Sequence, residues 1–301
     1  MTQSHVATLI AAPTAKLDAA ALARARTALS AAGEPSWLDP GIAADIPFTA
    51  NAADGQRAVA AALRGILAGT PVDVVVQPAA NRRKKLFLAD MDSTMIGQEC
   101  IDELADYVNL KAHVATITAR AMRGEIAFEP ALRERVALLK GLSSDLVAEV
   151  IAQRVKLTPG GRTLVATMRA NGAQTCLVSG GFTSFTGPIA AMIGFDHNRG
   201  NTLLLDAQSR FSGLVQEPIL GAEAKLAALR EFSSRLGLAR EETLAIGDGA
   251  NDLAMIAEAG LGVAFHAKPK VAAAAHARID HAGLTALLYA QGYRREEFVE
   301  L

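Results

Sequence analysis

Half of the 301 residues are hydrophobic, the formal charge is −1 and only 5% of side chains are aromatic. Without a basic surplus or stacking aromatics the chain does not read as a nucleic-acid binder, and its two cysteines and six scattered histidines offer no zinc spacing. No apolar run is long enough to span a bilayer and the N-terminus carries no basic leader, so the expectation is a cytoplasmic protein of two domains, off the membrane.

Residues 1–80 form the first of these. "HVATLIAA" reads as a strand, and "LDAAALARARTALSAAG" as an Ala-rich helix ending at Gly33. "PSWLD" and "AADIPFT" read as short strands. "DGQRAVAAALRGILAG" reads as a helix capped by Asp54 and closed by Gly69, and "PVDVVVQP" as a strand between prolines. The order β-α-β-β-α-β predicts a ferredoxin-like α+β module. "AANRRKK" then reads as a solvated linker, since no aromatics or wider basic patch accompany its charges.

Residues 81–301 change character. "KLFLAD", "QTCLVSGG", "TLAIGDG" and "GLGVAF" are short apolar runs separated by helical stretches, the pattern of buried parallel strands in a Rossmann-like α/β sheet. A helical insertion is expected over about 97–157, and "NTLLLDAQSRFSGLV" alternates around a polar turn as a β-hairpin would.

Ligands bind open parallel sheets at the carboxyl ends of the strands, and three of the runs end in chemistry-bearing residues. "DMDST" places Asp90 and Asp92 two apart, on one side of an extended segment. Hard Mg²⁺ would offset their repulsion, one acting as nucleophile and the other handling protons; a turn that caps a helix has the same residues. In "LVSGGF", Ser179, Gly180 and Gly181 let backbone N–H groups approach an anion, or simply turn the chain. "GDGAND" places Asp248, Asn251 and Asp252 where a helix begins, as caps or as the rest of an oxygen cage. Lys225 reads as a helix-surface lysine, although a site with several carboxylates and a phosphate needs a protein cation.

Asp90-Met-Asp-Ser-Thr, Ser179-Gly-Gly, Lys225 and Gly247-Asp-Gly-Ala-Asn-Asp resemble, in order and spacing, the haloacid-dehalogenase-like phosphatases. The insertion, with Glu99 and "MRGEIAFEPALRERVALLKGL", is similar to the cap of the phosphoserine phosphatases in that superfamily. The resemblance covers roughly residues 84–301. It implies a HAD-like core with Asp90 as nucleophile, Asp92 as general acid and base, and Mg²⁺ on the Asp90 side chain, the Asp92 carbonyl and Asp248, with Asp252 behind them. It further implies Ser179, Gly180, Lys225 and Asn251 around the phosphate, Glu99 on the substrate ammonium and Arg135 on its carboxylate. The expected reaction is hydrolysis of O-phospho-L-serine, the last step of L-serine biosynthesis; the alternative is phosphoryl transfer to another alcohol such as homoserine. Met122 and Phe128 either pack the cap or line its pocket. Asp102 and Glu103 are expected at the surface, Cys176 in the core, and Cys100 has no role. Residues 1–80 resemble an ACT domain, a module through which a homodimer can form, but "AAPTAKLD" carries no glycine where such domains bind amino acids, so an effector is not implied.

Overall fold

The structure is a computed structural model that describes residues 4–50, 55–122 and 125–300. It opens with β1 (His5–Ala11), α1 (Ala19–Thr27), β2 (Ser36–Asp39), β3 (Ala43–Phe48), α2 (Gln56–Ile66) and β4 (Val72–Pro78). The four strands form one antiparallel sheet in the order β2-β3-β1-β4, the ferredoxin-like arrangement expected. Asp18 caps α1 by accepting the Ala21 N–H. The helix ends at Thr27 rather than running to Gly33, because Ser30 C=O accepts the Thr49 N–H and Gly33 N–H donates to Pro47 C=O. Those bonds to the end of β3 pull the chain out of helical geometry. Gly55, not Asp54, precedes α2 as its cap; Asp54 lies outside the described residues.

The second sheet has six parallel strands: β5 (Leu86–Ala89), β6 (Gln174–Phe182), β7 (His197–Asn201), β10 (Thr243–Gly247), β11 (Leu261–Phe265) and β12 (Ala277–Ile279). Their order is β12-β11-β10-β5-β6-β7. The chain builds outward from β5 in one direction and then returns to β10 on its other side, so the order reverses at β5. That is where an open α/β sheet leaves a crevice. All four residues of β5 and all of β10 and β11 are buried, which is why these runs are continuously apolar instead of alternating. Helices α7 (Gly161–Ala170), α8 (Thr183–Ile193), α9 (Ala222–Leu236), α10 (Leu253–Glu258), α11 (Pro269–Ala274) and α12 (Ala286–Ala290) accompany the sheet, and β8 (Leu203–Leu205) and β9 (Phe211–Val215) form the expected hairpin. None of the described helices is long and apolar enough to cross a membrane.

Between β5 and α7 stands the helical insertion, with α3 (Cys100–Asp106), α4 (Lys111–Met122), α5 (Phe128–Ala137) and α6 (Leu146–Gln153). Its two ends are tied together: Ile96 bridges Leu157, Gly97 N–H donates to Lys156 C=O, and Thr158 N–H donates to Met95 C=O.

"AANRRKK" is not a solvated linker throughout. Arg82 donates to both oxygens of Asp45 and to the carbonyls of Tyr289 and Ala290, and the Lys84 ammonium is buried against the carbonyls of Asn81 and Glu241. The buried carboxylate of Asp73, on β4, accepts the N–H groups of Asp280, His281 and Ala282. Ile10, Leu38, Ala43 and Val75 of the first sheet share one apolar cluster with Leu287, Tyr289 and Tyr293. The N-terminal sheet is therefore packed and hydrogen-bonded onto the second one.

Candidate active site

The three strand ends meet at the crevice. At the end of β5, Asp90 Oδ1 accepts the Met91 N–H at 2.7 Å and the Lys225 ammonium at 2.7 Å. Among the bonds of the described residues, Asp90 Oδ2 accepts none. Lys225 is fully buried and also reaches Asp252 Oδ1 at 2.6 Å. It is thus no surface lysine: two carboxylates offset the cost of burying it. Burial works against its charge, but Asp252 and Asp90 outweigh that and hold the ammonium above its ordinary pKa.

Beyond β10, Asp248 follows Gly247. A side chain at Gly247 would begin 2.2 Å from Asp252 Cγ, so the glycine is what lets Asp252 fold under the strand end. Asp252 also accepts the Gly249 N–H on Oδ2, so both its oxygens already hold donors. Its carboxyl is pushed up to about 7 by burial, with Asp90 adding to the effect and Lys225 opposing it. One oxygen each of Asp90, Asp248 and Asp252 lies within 4.8 Å of the others. Three hard carboxylate donors at that separation suit a divalent cation that prefers oxygen. Because Asp252 is engaged by Lys225 and Gly249, it fits a supporting position better than direct ligation. Asn251 is half-buried, and its Oδ1 folds back over Gly249, where a side chain on that glycine would meet it at 2.3 Å.

Asp92 follows in extended geometry, and Ser93 turns the chain with φ = 54°. Asp92 Oδ1 accepts the Cys100 N–H, and Oδ2 lies 3.5 Å from the Ser179 hydroxyl. Burial pushes the Asp92 carboxyl up to about 8, with Glu99 and Asp90 acting in the same direction. Cys100 thereby has a place its sequence did not suggest: its backbone N–H steadies Asp92. Cys176 is core, as expected. On β6, Ser179 is buried and its oxygen accepts the Gly181 N–H at 2.8 Å. That bond uses the oxygen as acceptor, while the hydroxyl proton is donated over a long 3.5 Å toward Asp92 Oδ2.

The insertion closes over these groups. Glu99, the residue before α3, accepts the Ser93 hydroxyl at 2.7 Å. Arg135, on α5, donates to the Ala131 carbonyl and to the Thr118 hydroxyl on α4. Each keeps contact with solvent, yet protein crowds it closely enough to raise the Glu99 pKa and lower that of Arg135. Groups that are crowded but wet line a cleft. Asp102, Glu99 and Asp92 all attract the Arg135 charge. Asp102 is thus a neighbour of Arg135 rather than a free surface acid, and Glu103 pairs with Lys111 and Arg154. The Phe128 ring reaches the strand ends, where side chains on Gly180 and Gly221 would meet it at 3.1 and 3.4 Å. The same side chain, half-buried, also packs on the apolar cluster of the core, so it joins the cap to the turn. The Met122 side chain lies outside the described residues. Ser93 and Thr118, which steady Glu99 and Arg135, were not singled out from sequence. A hydroxyl directly after an Asp pair was a usable signal for Ser93; nothing local marks Thr118. A cavity of about 780 Å³ lies elsewhere, between α6, α8 and the β8–β9 hairpin, walled by Val147, Ile151, Pro188, Met192 and Phe211. It lacks the clustered carboxylates, so the chemistry belongs to the strand ends.

The pattern of the haloacid dehalogenase-like hydrolases matches residues 87–257, which include all three strand ends. The chain belongs to that family. Among HAD-like relatives, it is 46% identical over 208 residues to a phosphoserine phosphatase of a Polaromonas species, covering 68% of this chain and 88% of that one. It is 43% identical over 229 residues to the phosphoserine phosphatase of Streptomyces coelicolor, 76% of this chain but only 55% of that longer one. The solved structure of a probable phosphoserine phosphatase from Vibrio cholerae superposes on 98% of this HAD-like chain and 88% of its own, with a TM-score of 0.77 and 30% identity.

Proposed function

We propose that this HAD-like hydrolase is a phosphoserine phosphatase, converting O-phospho-L-serine and water to L-serine and phosphate. What supports the reading is that the insertion carries one acid, Glu99, and one cation, Arg135, near enough to each other and to Asp92 for their charges to interact. A zwitterionic amino acid needs one partner of each sign, and Arg binds a carboxylate in a fork. The relatives' names agree, and they favour water over another alcohol as final acceptor.

Asp90 Oδ2, which accepts no bond from the described residues, attacks phosphorus as the bond to the serine oxygen breaks. Asp92 gives its proton to that oxygen; a carboxyl pushed up to about 8 holds one at neutral pH. Serine leaves. Asp92 then takes a proton from water, whose oxygen attacks the aspartyl-phosphate, and the bond from phosphorus to Asp90 breaks to release phosphate. Lys225, the Ser179 hydroxyl and the Gly180 N–H face the phosphoryl oxygens, with Asn251 close by. Asp90, the Asp92 carbonyl and Asp248 would hold Mg²⁺, with Asp252 supporting them, and the ion would neutralise phosphoryl charge when bound. In the same reading residues 1–80 and 81–301 are the two units, the enzyme is cytoplasmic, and pairing of two copies runs through the first unit; a monomer in sedimentation equilibrium would remove that last part.

The test is phosphate release with and without Mg²⁺. Asp90→Asn should fold and lose turnover. Arg135→Ala should lose roughly a hundredfold in kcat/KM on phosphoserine, as expected for a charge-assisted pair, and little on phosphoethanolamine, which lacks the carboxylate. Equal losses on both substrates would refute the carboxylate role.

A further inference from the structure

Strand β6 does not stay in register with β7. Cys176, Leu177 and Val178 pair with His197, Asn198 and Arg199, but the next pair is Phe182 with Asn201. Four steps along β6 match two along β7, so Ser179, Gly180 and Gly181 bulge out of the ladder. The carbonyls of a bulge lose their sheet partners, and a buried carbonyl without a donor is costly.

Asn201 supplies the missing donor. Its side chain is buried, 3% exposed, and uses both amide protons: Nδ2 donates to Gly180 C=O at 2.8 Å and to Leu220 C=O at 3.0 Å. Its Oδ1 accepts the Leu220 N–H at 2.7 Å. Leu220 and Gly221 lead directly into α9, on whose first turns Lys225 stands. One amide thus fixes the Ser-Gly-Gly turn to the start of the lysine helix. Fixing Gly180 C=O also fixes the plane of the Gly180–Gly181 peptide, whose N–H holds the Ser179 oxygen. The preceding residue presses the same way. A side chain on Gly200 would begin 3.1 Å from the Gly181 carbonyl oxygen and 3.2 Å from Thr183 N, so the β7 backbone lies directly against the turn.

We propose that Asn201 is a positioning residue for phosphate binding, holding the Ser179–Gly181 turn and Lys225 at the separation a phosphoryl group requires. This rests on the reading of the turn and Lys225 as the phosphate grip. It says nothing of Glu99 or Arg135, so it applies to any phosphomonoester.

The experiment measures the Kd of inorganic phosphate by titration calorimetry in Mg²⁺, with kcat/KM on phosphoserine and p-nitrophenyl phosphate. Asn201→Ala removes all three bonds. Asn201→Asp keeps the shape and the acceptor for Leu220 N–H but turns an oxygen toward two carbonyls, and it serves if Asn201→Ala does not fold. Thr186→Val is the control: the buried Thr186 hydroxyl donates to Asn198 Oδ1 in the same α8–β7 packing, away from the turn. Both Asn201 variants should weaken phosphate by roughly tenfold, the scale of one net hydrogen bond, with the same factor on both substrates. Thr186→Val should lower Tm with phosphate affinity unchanged. Wild-type phosphate affinity in a folded Asn201 variant overturns the assignment alone. Failure of the wild-type protein to bind phosphate overturns it together with the reading of the turn.

Discussion

Replacing Lys225 with methionine tests the electrostatic frame of the site directly. The side chains have similar length, so the change removes a charge and leaves the space filled. What remains is Asp90, Asp248 and Asp252, with oxygens within 4.8 Å of one another, and the buried Asp90 and Asp252 have lost the ammonium bonded to both. Removing one partner of a buried ion pair costs about 3–5 kcal/mol, and here two pairs, at 2.7 and 2.6 Å, go at once. At roughly 2–4 °C per kcal/mol for a chain of this size, Tm in EDTA should fall by about 10 °C. Mg²⁺ should then restore more stability to the variant than to the wild type, because the cluster it binds is one charge more negative. A ligand at a hundred times its Kd contributes about 2.7 kcal/mol, so the gap in Tm should close visibly. Turnover should not follow, since the phosphoryl charge loses its fixed cation at a cost of about 10²–10³ in kcat. Scanning calorimetry in EDTA and in Mg²⁺, with phosphate release alongside, reads all three. A variant with wild-type Tm in EDTA, or one indifferent to Mg²⁺, would show that Lys225 does not neutralise these carboxylates.

Two further outcomes follow from the packing. Gly180→Ala brings a methyl to 3.1 Å from the Phe128 ring without backbone strain, so the ring must give by a few tenths of an ångström; KM should rise several-fold, and adding Phe128→Leu, which removes the ring, should recover most of it. Steady-state kinetics of the two single variants and the double decide, and a double variant no better than Gly180→Ala would place the effect in the turn itself. The Lys84 ammonium is buried with carbonyl acceptors and no carboxylate bonded to it, and burial lowers its pKa from 10.5 to about 8. Between those values the unfolded chain binds the proton that the folded chain has released, so stability from this group rises with pH across that window. Urea unfolding from pH 7.5 to 10 should show that rise in the wild type and not in Lys84→Met; parallel curves would refute the shift.

The strand ends were legible because burial on both faces writes itself as continuous apolar sequence, and a carboxylate directly after such a run has few structural uses. Leu86–Ala89 followed by Asp90 is the clearest instance. The ferredoxin-like order was legible for the same local reason, from near-continuously buried strands separated by two short helices. What sequence did not disclose is where polar groups find partners far along the chain. Arg82 looked solvated because the carbonyls it binds are 207 and 208 residues away. Lys225 looked like a surface residue for want of visible neighbours at Asp90 and Asp252. Asn201 sits in "HNRGNT", a polar strand end with no apolar signature, and its importance lies in a register shift that only pairing reveals. The early end of α1 belongs here too: helix propensity favoured continuing, and two backbone bonds to the end of β3 prevailed.

These distant partners also connect parts of the chain that sequence separates. Asp73, on the N-terminal sheet, holds the amides of 280–282. Two residues on, Leu284 N–H donates to Pro159 C=O, and the neighbouring Thr158 N–H donates to Met95 C=O, at the root of the cap. Gly160, at φ = +83°, leaves no room for a side chain against Thr285, so the two segments are pressed together there. The root of the insertion that carries Glu99 and Arg135 is therefore anchored to a loop whose amides are satisfied by the other sheet. Removing that sheet would leave three backbone donors without their acceptor beside the root of the insertion, as well as stripping the apolar cover from Leu287 and Tyr289. The N-terminal sheet is a structural part of the frame that carries the cap, whatever else it does.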